Sequence, residues 1–209
     1  MATITTFSTL KTAVADWLDR DDISATGGPI DVWIELVEDE IYRNARLRFM
    51  ESSTSPAISS GTVPIPDDFL ELKNASVSNG GAETRLTPKG SDWIYDAYPT
   101  RSSSGVPKFF AQEGDTFIFG PYPDSGYTVN LNYYARPDAL STSNESNWLT
   151  TNASDVLLNG ALLQSVGYLG MDERVPYWQA KYDAGMKRLK MRNREERFPS
   201  EMPLRMTPA

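Results

Sequence analysis

The sequence predicts a mixed α+β fold with three parts: an antiparallel helical bundle, an inserted antiparallel β lobe and an extended C-terminal tail. Near both ends of the 209-residue chain, apolar residues recur at intervals of three and four, which is typical of amphipathic helices. After Met50 the chain becomes rich in Ser, Thr, Gly and Pro, and short alternating runs replace the helical period. The N- and C-terminal helix pairs should therefore form the bundle (1–51 and 136–196), around a β lobe (52–135) and before the tail (197–209).

The clearest predicted helix covers residues 29–48. Its apolar side chains form one stripe, made of Ile30, Trp33, Ile34, Val37 and Ile41. Pro29 suits the first turn, where a backbone N–H has no partner within the helix. At 1.5 Å per residue, this helix should be about 28 Å long. We expect it to be the element against which the rest of the chain packs.

The other elements follow in order along the chain. A first helix is predicted from Ser8 to Leu18, and about five short strands are predicted between 57 and 135, with an Asn-Gly-Gly turn at 79–81. The segment 136–152 is predicted to be a polar loop, with Asn152 or Ser154 capping the next helix. Two further helices are predicted over 154–169 and 174–194. Within the first of these, Gly160 and Gly167 either weaken the helix or allow close packing.

Composition excludes several kinds of site. The chain has no cysteine and no histidine, which removes disulfides, thiol nucleophiles, His-based triads and the commonest zinc ligands. With 20 basic and 28 acidic residues, the net charge is −8, so the chain should repel nucleic acid on average. No apolar run approaches the ~18 residues of a membrane span, and the N-terminus lacks a secretion-signal pattern. We expect synthesis in the cytosol, no membrane and no cofactor.

The sequence carries no catalytic signature. Phosphate-loop, dinucleotide-binding and EF-hand patterns are all missing. Paired carboxylates can hydrolyse glycosides, and the predicted helix at 29–48 places four acids on one face: Asp31, Glu35, Glu38 and Asp39. Neighbouring acids on a helix usually form only its solvated face, and the many aromatic residues of the middle region suit a strand core. We therefore predict no catalytic residue and no metal site.

The last predicted helix carries a charge opposite to that of the whole chain. Residues 181–197 hold seven basic and three acidic side chains, so this stretch is +4 and the remainder is −12. Such a helix could bind DNA phosphates or an acidic surface on a protein partner. Because the chain as a whole is acidic, a protein partner is the favoured interpretation.

Several segments, in their order and spacing, resemble one protein family. They are Phe7–Lys11, Trp33–Ile41, Val63–Leu72, Tyr133–Ala135, Asn147–Leu149 and the basic last helix. Together they span nearly the whole chain. On these segments the chain resembles the head-to-tail connector adaptors of phages, and specifically the tail tubular protein A type of short-tailed phages.

The resemblance implies a structural, non-enzymatic protein of the virion neck. Copies would form a ring of twelve beneath the portal protein, with the phage tail or nozzle protein below, and DNA would pass through without specific binding. The acidic face of the helix at 29–48 would line the DNA channel. The residues expected to bind the portal or a neighbouring subunit are Arg188, Arg192, Arg194, Arg197, Phe198, Met202 and Leu204.

Two other functions stay open at this point. The first is a DNA-binding packaging or virion protein, which the +4 helix would favour and which requires duplex affinity that falls steeply with salt. The second is a carbohydrate-binding or depolymerising component of the phage tail, which the aromatic residues and paired acids would favour.

Overall fold

The computed structural model describes residues 3–20, 23, 28–100, 102, 104–170 and 172–197. These residues form a mixed α+β structure, as the sequence predicts. Their contacts divide the chain into two compact units. The helical unit takes its described residues from 1–49 and 138–209, and the β unit comprises 50–137.

Six α-helices occur in the described residues: α1 Phe7–Leu18, α2 Ile30–Asn44, α3 Ser91–Ala97, α4 Trp148–Asn152, α5 Ser154–Leu169 and α6 Val175–Arg197. A short 3-10 helix, Arg48–Met50, precedes the first strand. Among the described residues, no helix combines the length and apolarity needed to cross a membrane.

The central helix of the helical unit is α5. It contacts α1, α2, α4 and α6, and its buried side chains lie on every side of the helix, among them Val156, Leu157, Leu158, Ala161 and Leu162. A helix that is apolar all round belongs in the interior of a helical assembly. The expectation that the rest of the chain packs against the helix at 29–48 is therefore wrong. That helix is α2, and its apolar residues form a single stripe because its opposite face is exposed to solvent.

Helix α2 is shorter than the sequence predicts. It ends at Asn44, and Ala45 is extended, with φ −133° and ψ 122°. The guanidinium of Arg46 donates to the carbonyls of Tyr42 at 2.6 Å and Arg43 at 3.2 Å, which supplies partners for groups that a helix end leaves open. Ala45 and Leu47 are nevertheless buried. The apolar pattern thus continues beyond the helix because the extended chain also enters the core.

The structure adds one helix that the sequence analysis leaves as loop. Asn147 caps α4: its side chain accepts from the N–H of Thr150 at 3.1 Å, and the Thr150 hydroxyl accepts from the N–H of Asn147 at 3.0 Å. Neither Asn152 nor Ser154 caps α5, whose N-cap residue is Ala153. Helix α6 forms where the sequence predicts a helix over 174–194, and Trp178, Tyr182, Met186 and Leu189, at intervals of four, four and three, are its buried stripe.

Close approaches at two glycines define the packing around α5. A Cβ at Gly160 would lie 2.7 Å from Cγ1 of Val37 on α2 and 3.0 Å from Cε2 of Tyr182 on α6. A Cβ at Gly185 of α6 would lie 2.7 Å from Cγ2 of Val156 on α5. These distances are shorter than any ordinary van der Waals contact, so the interhelical spacing at both points requires glycine.

The β unit contains two four-stranded sheets. Its strands are β1 Glu51–Thr54, β2 Thr62–Pro64, β3 Phe69–Asn79, β4 Ala82–Arg85, β5 Thr87–Pro88, β6 Phe109–Glu113, β7 Thr116–Gly120 and β8 Thr128–Ala135. One sheet has the order β1-β8-β3-β4 and is antiparallel throughout. The other has the order β2-β7-β6-β5, in which only the β5–β6 pair is parallel. The predicted turn at 79–81 is present, between β3 and β4. The described part of 57–135 holds seven strands, β2 to β8, where the sequence predicts about five, and β1 lies before this range.

The core of the β unit lies between these two sheets. One cluster of buried side chains combines residues of both, including Val77, Val129 and Leu131 from the first sheet and Phe110, Phe117 and Phe119 from the second. Helix α3 covers the opposite face of the second sheet, where Ile94 packs against Ala111 and Ile118. The aromatic residues of the strands are thus mainly a core, as strand composition favours.

Candidate functional site

The predicted acidic face of α2 divides into different environments. Glu35 is exposed, and Asp31 pairs with Lys11 at 3.2 Å. Asp39 is half-buried, whereas Glu38 is only 1% exposed. The four carboxylates share a side of the helix, but Glu38 faces the interior of the helical unit and is unavailable to a channel.

Glu38 is the centre of a buried hydrogen-bond network. Its Oε2 accepts from the backbone N–H of Leu140 at 2.9 Å, and its Oε1 accepts from Nδ2 of Asn147 at 2.6 Å and from the Tyr42 hydroxyl at 3.3 Å. Burial raises the pKa of Glu38 above its ordinary value, and these hydrogen bonds act in the opposite direction. The network attaches the segment 140–147 to α2, which is a structural role.

The same segment also caps the start of α1. The carboxylate of Glu145 accepts from the backbone N–H of Ser8 at 3.0 Å and from its hydroxyl at 2.8 Å. The Phe7 N–H donates to the Glu145 carbonyl at 2.6 Å. These bonds lower the pKa of Glu145, because a helix N-terminus favours the charged form. One segment thus connects two helices that lie more than a hundred residues earlier in the chain.

Replacing Glu38 by Gln is expected to change how the stability of the helical unit depends on pH. Burial raises the native pKa of Glu38 above 4.5. Between this unfolded-state value and the raised native value, the native protein holds a proton that the unfolded chain has released. The free energy of unfolding should therefore fall, relative to Glu38→Gln, as pH rises through this window. Urea unfolding at a series of pH values measures the difference.

The matched control is Glu35→Gln on the exposed side of the same helix. The two variants remove the same charge from α2, so a difference between their curves of unfolding free energy against pH reports the environment of Glu38. A Glu38→Gln curve that runs parallel to that of the unmodified protein in this window would contradict the assignment of a raised pKa to Glu38.

Two of the predicted basic residues on α6 interact within the helical unit. Arg188 pairs with Asp155 at 2.6 Å. Arg192 pairs with Glu196 at 2.9 Å, and its guanidinium lies 5.5 Å from the ring of Trp148. Arg194 is exposed. Of the remaining predicted residues, Phe198, Met202, Leu204 and the side chain of Arg197 lie outside the described part of the chain.

A second set of α6 residues forms a continuous exposed surface that the sequence analysis does not single out. It comprises Lys187, Lys190, Met191 and Arg194, and we call it the cationic stripe. Among the described residues, none of its three cations makes an ion pair. The spacing of i, i+3, i+4 and i+7 places all four side chains on one side of the helix. This spacing is the signal that could have identified the stripe, since charge counting alone treats all basic residues of the helix alike.

Helix α2 carries a surface with the same spacing and the opposite charge. It comprises Val32, Glu35, Leu36 and Asp39, and we call it the acidic patch. Val32 is 54% exposed and Leu36 is 43% exposed, outside the buried stripe of the helix. Exposed apolar residues that adjoin one another often mark a protein–protein contact. The predicted acidic face does not include Val32 and Leu36, which are the residues that favour a protein partner.

A pocket of about 310 Å³ lies near the end of α6. The rings of Phe49 and Trp148 stack there with centroids 4.5 Å apart. Asn193 accepts from the backbone N–H of Arg48 at 2.7 Å and donates to the carbonyl of Arg46 at 2.8 Å. Because these polar groups are engaged with one another, the pocket presents no acid–base pair for catalysis.

The aromatic residues do not form one exposed platform. Tyr127, Tyr133 and Tyr134 are buried, whereas Trp93 and Tyr95 on α3 are exposed. The hydroxyl of Tyr133 donates to Asp68 at 3.0 Å. In the described ranges, no group of three or more acidic side chains is placed to hold a metal ion.

A family model described as "SU10 adaptor protein" matches residues 5–207. No curated protein matches the chain. The family match agrees with the resemblance at the level of a phage adaptor and points to a structural, non-enzymatic protein. It does not confirm the tail tubular protein A type that the sequence segments indicate.

Proposed function

We propose, from the premise that this chain belongs to the SU10 adaptor protein family, that it is the structural head-to-tail adaptor in the neck of a tailed phage. Copies form a ring of twelve below the portal, which extends the DNA channel and holds the phage tail or nozzle protein. Kinship with the tail tubular protein A type is part of this proposal. The observation that carries it is the family match over nearly the whole chain.

The two charged surfaces of the helical unit support ring assembly. A closed ring with head-to-tail contacts uses two different, complementary surfaces on each subunit. The acidic patch offers Glu35 and Asp39 around Val32 and Leu36, and the cationic stripe offers three cations around Met191. We propose that the acidic patch of one subunit binds the cationic stripe of the next, with apolar contact at the centre and charge complementarity at the rim.

We propose that the helical unit is an antiparallel bundle of the N- and C-terminal helices, with the β unit as an insertion and residues 197–209 as a C-terminal tail. The contacts of α5 with α1, α2, α4 and α6 support this arrangement. The net charge of −8 supports passage of DNA without specific binding, since an acidic wall repels phosphate. Asp31, Glu35 and Asp39 are the remaining candidates for that wall, because Glu38 is buried.

Light scattering tests the adaptor function on the full chain, alone and mixed with the portal protein encoded by the same genome. A ring in either sample would support the proposal. A stable monomer that ignores the portal would overturn it.

Lys190→Glu is expected to raise the protein concentration needed for ring assembly several-fold, because each subunit contact loses an attractive pair and gains a repulsive one. Lys181→Glu is the matched control, since Lys181 is exposed on the other side of the same helix. Glu35→Lys should partly restore assembly of the Lys190→Glu variant. Equal assembly of the Lys190→Glu and Lys181→Glu variants would contradict the proposed subunit contact.

The cations of the stripe, which make no ion pair with other described residues, favour DNA binding as a second candidate function. A duplex titration at several salt concentrations separates it from the first. Affinity that falls steeply with salt would indicate a packaging or virion protein that binds DNA, whereas no binding at low salt would exclude that function.

A further inference from the structure

The pocket near the end of α6 offers an apolar surface to a ligand. The apolar residues that line it are Leu47, Phe49, Trp148 and Leu189. The rings of Phe49 and Trp148 are nearly parallel, with an angle of 12° between their planes. An apolar cavity of about 150 Å³ is large enough to bind benzene, so this pocket of about 310 Å³ admits one aromatic side chain.

The polar residues of the pocket are bound to one another or to the backbone. Asn193 accepts from the N–H of Arg48 and donates to the carbonyl of Arg46. Glu196 accepts from the guanidinium of Arg192 at 2.9 Å. An apolar occupant therefore takes no partner away from these groups, whereas a polar occupant would have to compete with the bonds that they already make.

The end of α6 brings the following residues of the chain to this pocket. Helix α6 ends at Arg197, and the guanidinium of Arg48 donates to the carbonyl of Glu196 in its last turn at 3.1 Å. Pro199 cannot continue a helix, and the residue before a proline disfavours the helical conformation. Because Glu196 lines the pocket, the Cα atom of Phe198 lies at most about 7 Å from the Cα atom of a lining residue.

We infer that the side chain of Phe198 binds in this pocket of its own chain and anchors residues 198–209. Phe198 is the first residue after α6 and the only aromatic one in this segment. Its ring would contact those of Phe49 and Trp148, and aromatic pairs of this kind are stabilising beyond the area that they bury. Pro199 restricts the backbone beside the ring, which lowers the conformational entropy lost on binding.

This anchor divides the predicted C-terminal contacts into two kinds. Phe198 is bound within its own subunit, whereas Met202 and Leu204 stay available to the portal or to a neighbouring subunit. A segment that starts from a fixed point loses less conformational entropy when its remaining residues bind a partner. Only this consequence rests on the proposed function, since the binding of Phe198 requires no second protein.

Limited trypsin digestion of the full chain, followed by intact mass, tests the inference. A bound Phe198 holds the Arg197–Phe198 bond against the pocket, so trypsin should cleave after Arg197 slowly relative to Arg205. Phe198→Ala should raise the ratio of cleavage at Arg197 to cleavage at Arg205 roughly tenfold, because the segment then no longer has to leave the pocket before it is cut. Met202→Ala is the matched control and should leave this ratio unchanged. Synthetic peptides of residues 195–207, with Phe or Ala at position 198, correct for the preference of trypsin itself.

Trp148→Leu tests whether the pocket is the binding site. It should also raise the cleavage ratio, and the double variant with Phe198→Ala should show no further rise, because two substitutions that remove one contact are not additive. Trp93→Leu on α3 is the control for the loss of a tryptophan. Phe49→Leu replaces Trp148→Leu if circular dichroism shows that the latter does not fold. Effects that multiply in the double variant would refute the contact.

Every other outcome also decides the inference. Equal ratios for Phe198→Ala and Met202→Ala would overturn it. Protection of Arg197 that is lost on dilution would assign Phe198 to the pocket of a second copy, and protection that requires the portal would assign it to the portal; either result overturns binding within the chain. Light scattering on the same samples separates the two proposals: a ring without protection refutes only the inference, and protection in a stable monomer that ignores the portal refutes only the proposed function.

Discussion

Replacing Phe117 by Ala is expected to lower the free energy of unfolding of the β unit by about 3–5 kcal/mol. The Phe117 side chain is 2% exposed. Its ring makes edge-to-face contacts with Phe69 of the first sheet, at a centroid distance of 5.8 Å, and with Phe110 of its own sheet, at 5.9 Å. The substitution removes apolar contacts from both sheets and leaves a cavity between them. Chemical denaturation followed by circular dichroism measures the loss.

The control for Phe117→Ala is an aromatic residue on the surface of the same unit. Tyr95 is 51% exposed, and its hydroxyl donates to Glu113. Tyr95→Ala should cost less than about 1 kcal/mol, since it opens no cavity. Similar losses for the two variants would show that Phe117 does not connect the sheets.

Gly160→Ala is expected to destabilise the helical unit by about 1–2 kcal/mol, although alanine is the better helix former. The new methyl group would lie 2.7 Å from Val37 and 3.0 Å from Tyr182, so α2 or α6 must move away from α5. The overpacking exceeds the gain of about 0.5–1 kcal/mol that alanine brings to a helix interior. Thermal unfolding followed by the fluorescence of the tryptophans reports the change.

The same substitution seven residues later should have the opposite sign. Gly167 lies on α5 with no atom within 4 Å of the Cβ position, so Gly167→Ala brings only the helix propensity and should stabilise by about 0.5–1 kcal/mol. Both variants add one methyl group to the same helix. Comparing their free energies of unfolding therefore separates the cost of close packing from the gain in helix propensity. A stabilising Gly160→Ala would refute the close contact of the three helices.

Local periodicity accounts for the parts of the structure that were predicted correctly. The spacing of Trp178, Tyr182, Met186 and Leu189 predicts the helix that forms α6, and Gly80 and Gly81 predict the β3–β4 turn. These patterns depend on neighbours within about ten residues. The central position of α5 was missed because a helix buried on all sides has no amphipathic stripe to detect.

The environment of Glu38 could not be predicted from local pattern. In the sequence it is one of four similar acids, and its burial depends on Leu140 and Asn147, about a hundred residues away. The cationic stripe and the acidic patch were within reach of sequence reasoning, since the i, i+3, i+4, i+7 spacing of Lys187 to Arg194 and of Val32 to Asp39 is visible in the chain.

The central position of α5 has a consequence for synthesis on the ribosome. Helices α1 and α2 are translated first, yet the helix that buries their apolar faces begins at Ser154, about 110 residues after the end of α2. At about 5–20 residues per second, synthesis reaches α5 roughly 5–20 s after it has completed α2. The contiguous β unit emerges during this interval and can fold before them. The order of folding in the cell should therefore differ from the order of the sequence, and the nascent helix pair is the part most in need of a chaperone.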